Sequence, residues 1–257
     1  MQSIKRHGFL VAITLFVLCA AATAFPALAS TANSIPVQLA SSTPIPVLLA
    51  TTTKEVALTF DDGPYGTSTA QVLHILEKEK VHATFFLVGK NVAKYPALAR
   101  REVADGDLVG NHSFDHSKTL RQLSASQFEI NLLSAEVMIA STTGVLTDRF
   151  RPPYGRLSET MRTVLETDGF HIDMWTVDPR DWDYAHSPAK AIVRRVLSKV
   201  RPGSILLFHD GRDTHVGYPR DNLIKALPLI IETLKQKGYS FVTVDALVTM
   251  TAAESAR

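Results

Sequence analysis

The 257-residue sequence predicts an α/β protein built on a parallel sheet with helical crossovers. Short apolar runs alternate with amphipathic helical patterns about seven times from Glu55 onward, and several helices carry readable caps. The chemically unusual residues cluster at the carboxyl ends of the apolar runs, where parallel α/β folds place their chemistry.

The candidate strands are Val56–Phe60, His82–Val88, Asp107–Asn111, Arg149–Arg151, His171–Val177, Ser204–Phe208 and Ser240–Val244. Ser124 stands three residues before Gln127, the spacing of a capping box, and the helix it opens would bury Ile130, Leu133, Val137 and Ala140. Ser187-Pro188 reads as an N-cap followed by proline, ahead of Ile192, Val193, Val196 and Leu197. Asp221 opens a helix with the face Ile224, Leu227, Ile231 and Leu234, interrupted by Pro228 and closed by Gly238. An open doubly wound sheet and a closed barrel both satisfy this pattern, and periodicity alone does not choose between them.

Ahead of the domain, Lys5, Arg6 and His7 precede an apolar run from Phe9 to about Ala22, and Pro26 leads into Ala27-Leu28-Ala29. This reads as a secretory signal peptide over residues 1–29, cleaved near Ala29. Its alternative is an uncleaved membrane anchor, since the apolar run approaches spanning length. Cleavage implies a secreted, periplasmic or cell-wall-associated protein, with membrane contact only if the leader stays. Cys19, the single cysteine, lies in that leader, which leaves the domain without disulfide or thiolate chemistry. Residues 30–53 alternate apolar steps with Ser, Thr and Pro and read as an extended linker, followed by one domain over 54–250. Removing Lys5 and Arg6 leaves 25 basic residues against 25 acidic ones. A neutral domain argues against a nucleic-acid partner, which would require a basic excess.

Five segments carry the chemistry. Asp61 and Asp62 follow the first strand; adjacent carboxylates point in different directions and suit two roles, although an ordinary Asp-Gly-Pro turn reads the same way. His112 and His116, four apart, can close on one ion. Nine histidines in 257 residues produce such a pair by chance about 0.3 times, so spacing alone is weak. Two histidines with one carboxylate form a catalytic zinc set with a position left for water. In Arg151-Pro152-Pro153-Tyr154-Gly155 the prolines stiffen a loop and Arg151 can pair with a buried carboxylate in bidentate fashion. Asp178 and Asp181 follow the fifth strand, and His209 ends the sixth, where a nearby carboxylate would raise its pKa.

In this order, TFDDGP (59–64), HSFDH (112–116), RPPYG (151–155), DPRDW (178–182) and LLFHD (206–210) resemble the polysaccharide deacetylases of carbohydrate esterase family four, the NodB homology domain. The resemblance spans roughly Glu55 to Val248. It implies a distorted (β/α) barrel, TIM-like, with about seven strands. It also implies Asp61 as general base, Asp62, His112 and His116 as metal ligands, and Arg151 as the residue orienting the base. Tyr154 matches an oxyanion-hole N–H, Asp181 the carboxylate tuning the acid, Trp182 and Leu207 groove-wall residues, and His209 the general acid. One departure is Asp107, where many relatives carry histidine at a non-ligand position. The loop after His209, GRDTHVGYPRDN, is a second.

The implied activity is hydrolysis of the N-acetyl group of N-acetylglucosamine units in peptidoglycan or chitin-like glycans, with release of acetate. An O-acetyl xylan esterase and a non-catalytic carbohydrate-binding relative are the alternatives. The cofactor expected from ligand type is one divalent ion, Zn²⁺ first, with Co²⁺, Mn²⁺ or Ni²⁺ open. The partner is an acetylated polysaccharide or oligosaccharide, and a monomer is expected.

Overall fold

The computed structural model describes residues 54–211 and 220–255. The leader, the linker, His215 and most of the loop after His209 lie outside the described residues. Seven parallel strands form one sheet: β1 (Glu55–Gly63), β2 (Thr84–Leu87), β3 (Leu108–Asn111), β4 (Arg149–Phe150), β5 (His171–Ile172), β6 (Ser204–His209) and β7 (Ser240–Phe241). Their order is β5-β4-β3-β2-β1-β6, with β7 paired to the start of β1. The helices between them are α1 (Gly66–Glu79), α2 (Gly89–Lys94), α3 (Pro96–Ala104), α4 (Ala125–Thr143), α5 (Glu159–Thr167), α6 (Ala189–Lys199), α7 (Asp221–Gln236) and α8 (Val244–Ser255).

The sheet curls into a distorted barrel. Beyond Ile172 the chain leaves β4 and crosses to β6, where Val177 bridges Leu206 and donates its N–H to Ile205 O at 3.1 Å. The expected strand His171–Val177 is therefore two residues of ladder plus a closing segment. The buried Arg151 side chain takes the carbonyls of Asp173 and Met174 at that crossing, at 3.1 and 3.2 Å. Four other expected strands, His82–Val88, Asp107–Asn111, Arg149–Arg151 and Ser240–Val244, are shorter than read. Asp107 lies outside β3: its N–H donates to Glu102 O at 3.0 Å and its carboxylate accepts the Ala83 N–H at 2.8 Å.

Period-two alternation sorts β1. Val56, Leu58 and Phe60 face outward into a core shared with Leu73 and Leu76 of α1 and Leu227, Ile231 and Leu234 of α7. Phe60 is in register with Phe85 and Phe208 on its two neighbours, and its ring stacks on theirs at 5.0 and 5.7 Å. Ala57, Thr59 and Asp61 face inward. Ala57 packs with Ile205, Val244 and Leu247, so α8 fills the lower end, while Thr59 and Asp61 climb toward the upper one.

Two helix expectations need correction. The Ser124–Gln127 capping box is formed, but α4 buries Phe128, Leu132, Ala135 and Ile139. Ile130, Leu133 and Val137 are exposed, because a helix this apolar carries two stripes and periodicity does not say which one meets the core. Ser187 is not the cap of α6: Pro188 is, and the buried Ser187 hydroxyl accepts Arg195 Nη1 at 2.6 Å. Among the described residues no helix is long and apolar enough to cross a membrane.

Candidate active site

The carboxyl ends of β1, β3, β4 and β6 meet at one end of the barrel. Asp61 is the register partner of His209 on the adjacent strand, so sheet pairing alone sets these two groups side by side. Asp62 follows with φ 71, a left-handed conformation that breaks the alternation and turns its carboxylate away from that of Asp61. Both residues belong to β1 rather than to a turn beyond it.

His112 and His116 converge on Asp62. Asp62 Oδ1 stands 3.0 Å from His116 Nε2 and 3.6 Å from His112 Nε2. All three residues are buried, at 4%, 1% and 6% exposure, and Oδ1 accepts no well-oriented hydrogen bond. A buried carboxylate oxygen facing two imidazole nitrogens fits a divalent cation. Among the described residues this is the one group of three or more His, Cys, Asp or Glu whose ligand atoms all lie within 4.8 Å of one another. His112 Nδ1 lies 2.7 Å from Arg151 O, which fixes the proton there and leaves the Nε2 lone pair for an ion. Burial pushes the Asp62 pKa up, but His116 and His112 outweigh it and hold the carboxyl well below its ordinary range.

Arg151 is fully buried. One nitrogen, Nη1, donates both to Asp61 Oδ1 at 2.9 Å and to Thr59 Oγ1 at 2.7 Å, so its pairing with the carboxylate is single rather than bidentate. The remaining nitrogens are used at the barrel closure, and the guanidinium lies 4.0 Å from the centroid of the Phe86 ring. Asp61 Oδ2 remains directed at the histidines, 3.7 Å from His112 Nε2.

Across the site, Asp181 Oδ1 lies 2.9 Å from His209 Nδ1, and its Oδ2 accepts the His209 N–H, also at 2.9 Å. Burial opposes charge on His209, but the Asp181 ion pair and hydrogen bond, with Asp62 beyond, carry its pKa up to about 9. His209 is therefore protonated at neutral pH, with Nδ1–H held by Asp181 and Nε2–H available to the site.

A sequence profile described as polysaccharide deacetylase matches residues 49–172. Over 193 residues the chain is 36% identical to a chitooligosaccharide deacetylase of Bradyrhizobium, covering 73% of this chain and 87% of that protein. The chain belongs to the polysaccharide deacetylase family. It is also 36% identical over 196 residues to a peptidoglycan-N-acetylglucosamine deacetylase of Listeria monocytogenes, covering 76% of this chain and 39% of that one. It thus spans about two fifths of the length of that relative. The peptidoglycan deacetylase PdaC of Bacillus subtilis superposes with a TM-score of 0.70 at 34% identity, covering 80% of this chain and 95% of that one.

In this polysaccharide deacetylase domain the residues singled out from sequence all lie on the segments that build the site, though not all are equally open. Tyr154, at φ 59 and 37% exposed, sets its ring 4.5 Å from that of His116. Trp182 is 45% exposed beside Arg180. Leu207 is only 3% exposed, on the face of β6 opposite Leu206 and Phe208, so it offers an apolar floor rather than an open wall. Four contributors were not singled out. Thr59 shares Arg151 with Asp61. Arg220 Nη2 stands 3.9 Å from Asp62 Oδ2 and its Nε donates to Gly211 O at 2.6 Å. Asp210, buried beneath Gly63, accepts from the Thr69 hydroxyl, and burial lifts its pKa to about 7. Asn131 contacts the segment between the two histidines from α4. Asp210, inside the LLFHD motif, and Thr59, which opens TFDDGP, had a sequence signal; Arg220 and Asn131 are ordinary polar residues whose meaning comes from the fold.

Proposed function

We propose that this protein is a metal-dependent polysaccharide deacetylase that hydrolyses the N-acetyl group of N-acetylglucosamine units in peptidoglycan or chitin-like glycans. The observation that carries the reading is the pairing of Asp61 with His209 across β1 and β6 beside the Asp62–His112–His116 cluster. A carboxylate base and a protonated imidazole acid then flank one reacting centre, as amide hydrolysis requires.

Asp62, His112 and His116 would hold the ion, with Zn²⁺ favoured by donor type. A bound divalent ion supplies a Lewis acid for the acetyl carbonyl and lowers the pKa of its water toward about 7. Asp61, oriented by Arg151 through Oδ1, takes a proton from the attacking water at Oδ2. The water oxygen bonds to the acetyl carbon, and the Tyr154 N–H donates to the oxygen that gains charge. The carbon–nitrogen bond then breaks as His209 Nε2 gives its proton to the leaving amine, with Asp181 stabilising the imidazolium throughout. The products are acetate and a glucosamine unit. Trp182 and Tyr154 offer ring surface to the sugars, and Leu207 an apolar floor.

We further propose that residues 1–29 direct export and that the substrate is an extracellular or cell-wall glycan, a reading supported by the basic start, apolar run and Ala-Leu-Ala ending. The test is acetate release from N-acetylglucosamine oligomers, peptidoglycan and acetylxylan, after chelation and again with Zn²⁺ restored. Metal-restored release from an N-acetylated glycan is the expected result. Release from acetylxylan alone would make the protein an O-acetyl esterase, and no release with any metal would make it a carbohydrate-binding relative.

A further inference from the structure

Residues Ser113, Phe114 and Asp115 separate the two histidines of the cluster. The segment cannot keep its shape unaided: Ser113 and His116 have φ of 70 and 52, conformations that side-chain-bearing residues rarely adopt. It is held from three sides. From β3, Asn111 Oδ1 accepts the Ser113 N–H at 2.9 Å, and Ser113 Oγ in turn accepts the His116 N–H at 3.0 Å. From the start of α2, the N–H groups of Gly89 and Lys90 donate to Ser113 O and Phe114 O at 3.1 and 2.8 Å. Gly89 is required for that approach, since a Cβ there would come within 2.6 Å of Phe114 Cδ2.

The third side is α4, where one side chain serves two groups. Asn131 Oδ1 accepts the Phe114 N–H at 2.8 Å, and its Nδ2 donates to Asp115 Oδ1 at 3.0 Å. The next residue, Leu132, accepts Asn111 Nδ2 on its carbonyl at 3.0 Å, so consecutive residues of α4 anchor both the strand end and the middle of the loop. Asparagine is a weak helix former, and here it stands inside a 19-residue helix. Its two hydrogen bonds are directed at the segment carrying His116, the histidine nearest Asp62.

We propose that Asn131 is a positioning residue for the divalent ion held by Asp62, His112 and His116. By tying Phe114 and Asp115 to α4 it keeps His116 Nε2 directed at Asp62 Oδ1. This rests on the metal reading of the cluster. A residue serving only the fold would change the stability of the metal-free protein and leave metal affinity alone. A positioning residue changes the affinity.

The experiment titrates the metal-free full chain with Zn²⁺ against a chromophoric chelator and records the visible spectrum of the Co²⁺ form. It is done for the wild type, Asn131→Ala, Asn131→Asp, Asp115→Asn and the double variant Asn131→Asp/Asp115→Asn. Thermal unfolding of each metal-free protein is measured alongside. Asn131→Ala and Asn131→Asp should each lower Zn²⁺ affinity about tenfold or more and alter the Co²⁺ absorption, with metal-free stability little changed. The double variant exchanges donor and acceptor: the new carboxylate at 131 accepts from both the Phe114 N–H and the new amide at 115. It should return affinity to within about threefold of the wild type. Unchanged affinity in Asn131→Ala, or a double variant no better than Asn131→Asp, would overturn the proposal. A wild type that binds no divalent ion would overturn the metal reading itself, and the wild-type titration reveals that before any variant is compared.

Discussion

The peptide oxygen of Arg151 lies 2.7 Å from His112 Nδ1 while the guanidinium of the same residue lies 2.9 Å from Asp61 Oδ1. One residue therefore orients a histidine of the cluster through its backbone and the neighbouring carboxylate through its side chain. The two functions separate on substitution, because only the side chain is lost.

Arg151→Met keeps the peptide oxygen and removes the charge. It leaves the Asp61 carboxylate buried without its cation and the carbonyls of Asp173 and Met174 without a donor. Removing one partner of a buried pair costs about 3–5 kcal/mol, so urea unfolding should show a loss of that order. A loss below about 1 kcal/mol would mean that the Arg151–Asp61 pairing does not hold the barrel closure together.

Asp61→Asn is isosteric and leaves Asp62, His112 and His116 untouched. Loss of a general base costs about 10²–10⁴ in turnover. Acetate release should fall by that range while Zn²⁺ content, measured by elemental analysis, stays at the wild-type level. Near wild-type turnover would exclude Asp61 as the base, and loss of metal would show that it also serves as a ligand.

The motif-bearing half of this site was legible because its residues sit at strand ends. Asp61, His209 and Arg151 stand at the ends of the apolar runs that become β1, β6 and β4, and the parallel strand–helix pattern tells which end of the sheet they occupy. What was not legible depends on contacts between elements. Thr59 opens the TFDDGP motif, but its part in the site is visible only when Arg151 reaches it from just beyond β4, and Asn131 reads as a helix asparagine until the loop packs beneath it. The second apolar stripe of α4, Ile130, Leu133 and Val137, misled for the same reason: composition shows that a helix has an apolar face, and only packing shows which face is used. The shortened β5 follows from Arg151 as well, since its hydrogen bonds draw the carbonyls of Asp173 and Met174 out of the ladder.

The acid limb of catalysis should depend on Asp181. His209 is raised to about 9 against the effect of its own burial, chiefly by Asp181. The raised value means that the proton is present at neutral pH and is lost as pH rises through about 9, so activity should decline on that alkaline side. Asp181→Asn removes the principal support and should move the alkaline limb of kcat/KM to lower pH, with a smaller maximum. An unmoved alkaline limb in the variant would assign that limb to another group.

Asp107 makes a separate prediction about stability. Burial lifts its pKa from the ordinary carboxylate value to about 6, although the Ala83 N–H and His82 both favour the charged form. The folded state thus binds this proton more tightly than the unfolded chain does. The resulting stability is full below about pH 4 and is lost as pH rises through about 6. Asp107→Asn keeps an oxygen acceptor for the Ala83 N–H and has no charge to bury. The side chain is 2% exposed, so solvent does little to screen the effect. At pH 4 the variant and wild type should unfold at similar urea concentrations. At pH 8 the variant should be the more stable, by on the order of 2 kcal/mol. Glu102, Asp173 and Asp210 are also raised by burial and tilt the wild-type curve in the same direction, so the quantity to measure is the difference between the two proteins at each pH. A difference that does not change between pH 4 and pH 8 would mean that Asp107 stays charged in the fold, its burial compensated by His82 and the Ala83 N–H.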